Sequence, residues 1–213
     1  MRTDSVPIAR KTNASAEALL VATAELLSER GDLDVSFAEI SRRSGVNAAM
    51  IKYYFGNKDG LLLALVERDA ERPMAAMDHL LTTALPADEK LRIHISGVIN
   101  TYHRSPYLNR VTHHLLNNAS PDAATRVIDI FMAPMVNAYR VIIAQGVDEG
   151  TLAETDPRFL YFTIVGACEH IFFANSTVRH VLGAAKVTDR IKQEFSAHVT
   201  EILLAGLRPR PIG

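Results

Sequence analysis

The chain has 213 residues, of which 48% are hydrophobic and 22% are charged, as is usual for soluble globular proteins. Its formal net charge is −1, so overall charge gives no sign of a nucleic-acid partner, and any affinity for DNA must come from locally placed lysines and arginines. A single cysteine excludes an intrachain disulfide. With no signal peptide and no apolar run near twenty residues, the sequence predicts a cytoplasmic protein without a membrane span.

The apolar pattern predicts an all-α chain, because β-branched alternation is missing and most Pro and Gly residues fall between helical stretches. Residues 1–13 are polar and are expected to form a flexible arm before a first helix over about 15–30. Two short helices follow, and a longer fourth helix is expected to begin at residue 57 or 58. Pro73 is expected to kink that helix or end it early.

Three pairs of a capping residue and a proline predict further helix starts, at Ser105-Pro106, Ser120-Pro121 and Asp156-Pro157. The corresponding helices are expected over about 88–104 before the first pair and over about 121–149 after the second, with a kink at Pro134. A last helix is expected over about 188–207, followed by a frayed tail at 208–213.

Residues 36–58 carry the most informative pattern, SFAEISRRSGVNAAMIKYYFGNK. Ser36 and Glu39 form an S-x-x-E capping box at the start of one helix. Gly45 can adopt the left-handed turn conformation, and Asn47 can cap the next helix. Ile51 returns to the shared core. The spacing predicts two short helices joined by a glycine turn, which present the start of the second helix to a DNA groove.

This motif, from Gly45 to Lys58 and closed by Asp59-Gly60-Leu61-Leu62, resembles the DNA-binding signature of TetR-family transcriptional regulators. The preceding helix, which ends in Glu29-Arg30-Gly31, is similar to the first helix of that family. The resemblance covers about the first quarter of the chain. It implies about nine helices, with a helix-turn-helix DNA-binding domain at 1–57 and a helical effector-binding and dimerisation domain at 58–207.

The resemblance also implies roles for residues of the motif. Tyr53 and Lys58 correspond to phosphate contacts, whereas the start of the second motif helix would read bases, with alanine methyls suited to thymine methyl groups. Lys52 can donate to guanine or contact a phosphate, and Tyr54 can pack or contact a phosphate. The candidate DNA-binding residues are Ser36, Ala38, Arg43, Asn47, Ala48, Ala49, Lys52, Tyr53, Tyr54 and Lys58.

The family releases DNA when a small molecule binds among its middle helices. Candidate effector-pocket residues are Tyr102, His103, His113, Phe131, Met135, Tyr139, Glu169 and His170. Methionine and aromatic residues at helical spacing are more often plain core, and this alternative stays open for each of them. Glu169 and His170 lie in an otherwise apolar segment and need a polar partner, either a ligand or a residue across a dimer.

The segment 159–182 is apolar nearly all round, so it must be buried on more than one side. A second copy of the chain is the simplest cover, and in the family the last two helices of each subunit form a four-helix dimer interface. Candidate interface residues are Phe162, Val165, Cys168, Phe172, Ile191, Phe195, Val199 and Ile202. The alternatives are a purely intramolecular core helix and, for Cys168, the role of a small buried hydrophobe.

Other classes of function find less support in the sequence. The eight histidines show no i+3 or i+4 pair and no H-E-x-x-H motif, so no metal or other cofactor is expected. The sequence contains no nucleophile elbow, no Walker loop and no dinucleotide-binding fingerprint, so none of these motifs points to an enzyme. An interaction module that lost DNA binding is a further alternative. The sequence predicts a ligand-responsive homodimeric repressor that binds double-stranded DNA at an approximately palindromic operator.

Overall fold

The computed structural model describes residues 8–209, with side chains described from residue 14 onward except for that of Asn175. Every regular element in this range is helical, which confirms the all-α prediction. The elements are α1 (Ile8–Arg30), α2 (Phe37–Ser44), α3 (Ala49–Phe55), α4 (Lys58–Thr82), α5 (Ala87–Arg104), α6 (Leu108–Asn117), α7 (Pro121–Val127), a π-helical turn (Ile128–Met132), α8 (Ala133–Glu149), α9 (Pro157–Phe173), α10 (Asn175–Leu182) and α11 (Asp189–Gly206).

Three features of the expected helix pattern differ from the observed one, and the first is that the segment 159–182 is divided at Ala174 into α9 and α10. The first helix begins at Ile8, so residues 8–13 of the expected arm are helical, while residues 1–7 lie outside the described part of the chain. Ser105 closes α5 instead of capping the next helix, and α6 starts only at Leu108 after a short turn. Ser120 and Asp156 do cap helices that begin at the following proline, as predicted.

The two prolines inside helices have different consequences. Pro73 lies within α4, which continues to Thr82, so this proline does not end the helix. Near Pro134 the helix runs without a break from Pro121 to Glu149 but contains the π-helical turn. There the Ala133 N–H donates to the carbonyl of Ile128, five residues earlier. Proline cannot donate a helical hydrogen bond, and a π turn is one way in which a helix accommodates such an interruption.

The buried apolar residues form two clusters that meet along α4. The first joins α1, α2, α3 and the start of α4 to α6 and α7, and the second joins α5, α8, α9 and α11 to the end of α4. The first cluster therefore extends past residues 57 and 58, because buried residues from the first half of α4 and from α6 belong to it together with those of the first three helices. With the segment from Pro121 to Glu149 counted once, residues 8–209 form ten helices, close to the expected number of about nine.

That 29-residue helix is long and apolar enough to cross a membrane by length and composition, a property missed by the sequence analysis. A core helix of a soluble protein can have the same properties. Here α8 packs against α5 and α9, and Ala138, Tyr139, Ile142 and Ile143 are buried in the second cluster.

Candidate nucleic-acid interface and internal cavity

The start of α2 is fixed by the predicted capping box. The Ser36 N–H donates to Glu39 Oε2 at 2.9 Å, and the Glu39 N–H donates to Ser36 Oγ at 3.3 Å. The Ser36 hydroxyl also donates to the same carboxylate at 2.7 Å. These bonds, together with the Arg30 guanidinium, lower the pKa of Glu39 to about 2. The entry into the helix-turn-helix is thus held by local contacts.

The turn between α2 and α3 is equally well defined. Gly45 has a φ of 70°, and its N–H donates to the Ser41 carbonyl at 2.9 Å, while the Ser41 hydroxyl donates to the Val46 carbonyl at 2.7 Å. Asn47 Oδ1 accepts from the Ala49 N–H at 2.8 Å, as a capping residue does. With Ile51 fully buried beneath it, α3 has one defined position on the core.

The junction of α3 and α4 depends on an unusually close approach of two backbones. Asn57 Oδ1 caps α4 by accepting from the Gly60 N–H at 2.8 Å. A Cβ atom at Gly60 would lie 2.0 Å from the Phe55 carbonyl oxygen, so only glycine fits at this position. The second helix of the motif, α3, is the expected DNA-reading helix, and its end is therefore held tightly against the first turn of α4.

Most of the candidate DNA-binding residues lie on the accessible surface of this unit. Tyr53 is 73% exposed. Tyr54 packs against the first cluster, and its ring meets that of Tyr53 edge to face at 5.1 Å. The other accessible members are exposed (Ala38, Asn47, Ala49, Lys52) or partly buried (Ala48, Lys58).

Two of the candidates have other partners in the structure. The Arg43 guanidinium forms two 2.8 Å bonds to the Glu29 carboxylate and a further one to Glu25 at 3.2 Å, so this residue ties α2 to α1. The resulting ion pairs raise the pKa of Arg43. The Ser36 hydroxyl uses its one proton on Glu39. In this conformation the Ser36 hydroxyl proton is engaged by Glu39, whereas the Arg43 guanidinium keeps N–H groups that these bonds do not use.

A cavity of about 570 Å³ lies between α4, α5, α6, the π-helical turn, α8, α9 and the start of α11. It brings together five of the eight candidate effector residues: Tyr102, His103, Phe131, Met135 and Tyr139. The other three do not line it. Glu169 is directed toward exposed His113 at 3.4 Å, and His170 is itself exposed on α9.

His94 is a lining residue that the sequence analysis missed. Its Nε2 lies 2.7 Å from the Tyr139 hydroxyl, and burial lowers the pKa of His94 to about 4. Burial also raises the pKa of Tyr139 and brings that of Tyr161 to about 12. The inner wall of the cavity is therefore uncharged at neutral pH. A signal for His94 existed, because it lies beside Leu91 and Ile95 on the apolar face of α5.

Polar contacts between α4 and α6 connect the cavity region with the helix-turn-helix. The Tyr107 hydroxyl donates to Asp69 at 2.5 Å, and the same carboxylate accepts from Arg68 at 2.8 Å. At the start of α4, Asp59 lies 2.9 Å from His114 Nε2. Leu108 and Thr112 of α6 line the cavity as well. The short helix α6 thus contacts the start of α4, which follows the helix-turn-helix, and also borders the cavity.

The candidate interface residues divide between the surface and the core. Phe162 and Ile202 are 72% and 57% exposed, whereas Val165 and Phe195 are partly buried. Four others are buried within the chain itself, which corrects the expectation that they lie between subunits: Cys168, Phe172, Ile191 and Val199. Burial raises the pKa of the Cys168 thiol to about 12, which is consistent with the alternative role of this residue as a small buried hydrophobe. Additional exposed apolar residues on α9 and α10 are Phe159, Phe173, Val181 and Leu182.

An exposed recognition helix behind a glycine turn, joined to a larger helical region with a cavity, defines a helix-turn-helix regulator. Two family models match the chain. Residues 19–65 match "Bacterial regulatory proteins, tetR family", and residues 84–211, more than half of the chain, match "Tetracyclin repressor-like, C-terminal domain". The chain belongs to the TetR family of transcriptional regulators, as the resemblance in its first quarter indicated.

Individual relatives and structures agree with this assignment. The HTH-type transcriptional regulator RutR of Escherichia coli K12 is 24% identical over 204 residues, which cover 94% of each chain. BetI 2 of Chromohalobacter salexigens is 36% identical over 84 residues, or 38% of each chain. FadR of Bacillus subtilis in complex with stearoyl-CoA has a TM-score of 0.69 at 21% identity, over 90% of this chain and 99% of that one. A tetR-family protein from Rhodococcus RHA1 has a TM-score of 0.72 at 16% identity, over 92% and 98%.

Proposed function

We propose that this chain is a cytoplasmic, homodimeric repressor that binds an approximately palindromic operator and leaves it when a small molecule occupies the cavity. The observation that carries the DNA-binding part is the accessible start of α3, which is capped by Asn47, supported by buried Ile51 and followed by exposed Lys52 and Tyr53. Helix-turn-helix proteins read base edges with the first residues of such a helix.

The accessible residues can be given separate roles. The Ala48 and Ala49 methyl groups suit thymine methyls, and Asn47 can bond to a base edge or a phosphate. Tyr53 and Lys58 would contact phosphates and set the register of the protein on the duplex. Lys52 would contact either guanine or a phosphate. Arg43 and Ser36 support the fold of the motif through Glu29 and Glu39.

The exposed apolar residues of α9 and α11 support the dimer. Phe159, Phe162 and Phe173 follow one face of α9, and Ile202 is an exposed apolar residue of α11. Large aromatic residues in solvent are typical of a surface that another molecule covers. Phe162→Glu should therefore yield a monomer in sedimentation experiments, whereas Val141→Glu, at an exposed position on α8, should leave the dimer intact. A dimer unaffected by Phe162→Glu would contradict this interface.

Release by a small molecule is supported by the position of the cavity. Arg72 to Leu80 of α4 line it, and the first residue of the same helix is Lys58, a proposed DNA contact. The structurally similar FadR is in complex with stearoyl-CoA. A ligand can change operator affinity only through its preference for one arrangement of α4 over another.

Salt titration tests the DNA-binding role. Affinity for random duplex DNA should fall steeply and linearly on a log–log plot against salt concentration, because bound phosphates release counterions. Lys58→Ala should weaken binding to selected genomic fragments and to random DNA alike and reduce the salt slope by about 1. Arg190→Ala, in an exposed pair with Glu194 on α11, is the matched control and should change neither. Absence of any binding to DNA would favour an interaction module instead.

A further inference from the structure

The charged groups around the cavity are concentrated at its mouth. The exposed lining residues mark this opening and lie on α4, α5 and the start of α11: Arg72, Ala76, Ile93, Gly97, Asn100, Arg104 and Asp189. Asp189 is the one carboxylate of the lining, and it lies 3.3 Å from Lys192 Nζ and 3.2 Å from His103 Nε2. In the part of the chain that the structure describes, Arg72 and Arg104 have no carboxylate within 4 Å. Two guanidinium groups are therefore available to a ligand at the mouth.

The interior has the opposite character. Met77, Leu80 and Met135 are buried apolar residues of the lining, and Met132 continues this wall from the π-helical turn. The polar groups there are neutral, since the His94 ring is bonded to the Tyr139 hydroxyl and burial keeps both uncharged at neutral pH. An ionised ligand atom placed in this interior would have no counter-ion and would lose its hydration. The interior thus accepts an uncharged, apolar body.

We infer that the cavity binds an organic anion with an extended apolar body, of the class of alkyl or aryl carboxylates. Its carboxylate lies at the mouth, where Arg72 and Arg104 donate to it, and its body lies along the methionine-rich interior. The planar guanidinium group matches a carboxylate with two parallel hydrogen bonds, and flexible methionines adapt to apolar shapes. A cavity of about 570 Å³ suits a ligand of that kind. The inference rests on the proposed function only in that it takes this cavity as the effector site.

A head-group series on one apolar chain tests the sign of the charge. Decanoate, decanol and decyltrimethylammonium are titrated calorimetrically into the full-length protein without DNA, each below its micellar concentration. Decanoate should bind most tightly and the cation least. The double variant Arg72→Gln/Arg104→Gln should weaken decanoate roughly tenfold or more and leave decanol unchanged, because hydrogen bonds to charged groups are the stronger ones. Arg92→Gln, exposed on α5 but outside the lining, is the matched control.

A second variant tests the path into the interior. A Cβ atom at Gly97 meets nothing within 4 Å, so Gly97→Leu should fold and occupy the mouth. It should weaken decanoate and decanol together, whereas Gly206→Leu, which is equally unobstructed on α11, should affect neither.

Three results would overturn the inference: no binding of decanoate, equal or tighter binding of decanol or the cation, or unchanged selectivity in the double arginine variant. Because the assay contains no DNA, such a failure leaves the DNA-binding proposal standing. Decanoate that binds as expected but leaves DNA affinity unchanged would instead contradict effector-controlled release.

Discussion

The first turns of α4 are packed without free space, whereas its last turns border a cavity. Near the start, Leu61, Leu62 and Leu65 are at most 1% exposed, and Gly60 touches the end of α3 so closely that no side chain fits. Toward the end, Met74 and Met77 line the cavity instead of filling a closed core. One helix thus joins a tightly fixed region to one with adaptable side chains.

This difference assigns complementary roles to the two ends in the proposed function. A ligand can move the cavity end at small cost, because methionine side chains repack easily. The start of α4 is packed too closely against α3 to move independently, so α3 should move with α4 as one unit. Variants at the fixed end should therefore damage DNA binding and stability together, whereas variants at the cavity should change ligand binding alone.

The largest expected effect comes from Gly60→Ala, which breaks the fixed end. The new methyl would lie 2.0 Å from the Phe55 carbonyl oxygen, so α3 and α4 must separate. We expect a loss of about 3 kcal/mol in the free energy of unfolding, measured in urea, and a loss of DNA binding. Gly206→Ala, where the added Cβ meets nothing within 4 Å, should be neutral or slightly stabilising. A folded Gly60→Ala protein with normal DNA affinity would refute the close packing.

A smaller effect is expected from Tyr107→Phe, which tests how much one hydrogen bond between α4 and the start of α6 contributes to stability. The change removes the 2.5 Å hydrogen bond to Asp69 but keeps the ring in the first cluster. A hydrogen bond to a charged acceptor of this kind contributes about 2 kcal/mol, to be measured by urea unfolding. Tyr53→Phe, at a hydroxyl in solvent, is the control and should leave stability unchanged. Equal stabilities for the two variants would show that the hydrogen bond from Tyr107 to Asp69 does not stabilise the packing of α6 against α4.

The smallest effect is expected from Ser36→Ala, which affects α2 and not the cavity. Loss of an N-cap costs about 1 kcal/mol. The pKa of Glu39 is lowered in the folded protein from 4.5 to about 2, first by the Ser36 side chain, so its contribution is present above pH 4.5 and is lost as the pH falls from there toward 2. In the variant, an NMR titration of the carboxyl should give a pKa closer to 4.5. An unchanged pKa would show that the hydroxyl is not the main cause.

The parts of the site that sequence predicted are those made by neighbours in the chain. Ser36 and Glu39, the Gly45 turn and the Asn47 cap all act within a few residues, so residue type and spacing were sufficient. The partners of Arg43 lie 14 and 18 residues away on another helix, and nothing local indicated them. The contact between Tyr107 and Asp69 could not be predicted either, because the two residues are 38 positions apart in the sequence.

Segment 159–182 shows a different limit. A helix that is apolar all round does not reveal which side faces the core, so residues from both sides were expected at the interface. Packing against α5 and α8 selects Cys168 and Phe172 for the interior and leaves Phe159 and Phe162 outside. The position of His94 on the apolar face of α5 indicated burial, but its place in the cavity wall depends on Tyr139, 45 residues away, which no local pattern indicates.

The coupling between cavity and recognition helix is tested most directly by measuring it in both directions. Decanoate affinity is determined with and without a selected operator fragment, and operator affinity with and without decanoate. Thermodynamic linkage requires the two factors to be equal, and the coupling through α4 predicts that each ligand weakens the other by roughly 5- to 150-fold. Affinities for decanoate and operator that are independent of each other would contradict the account.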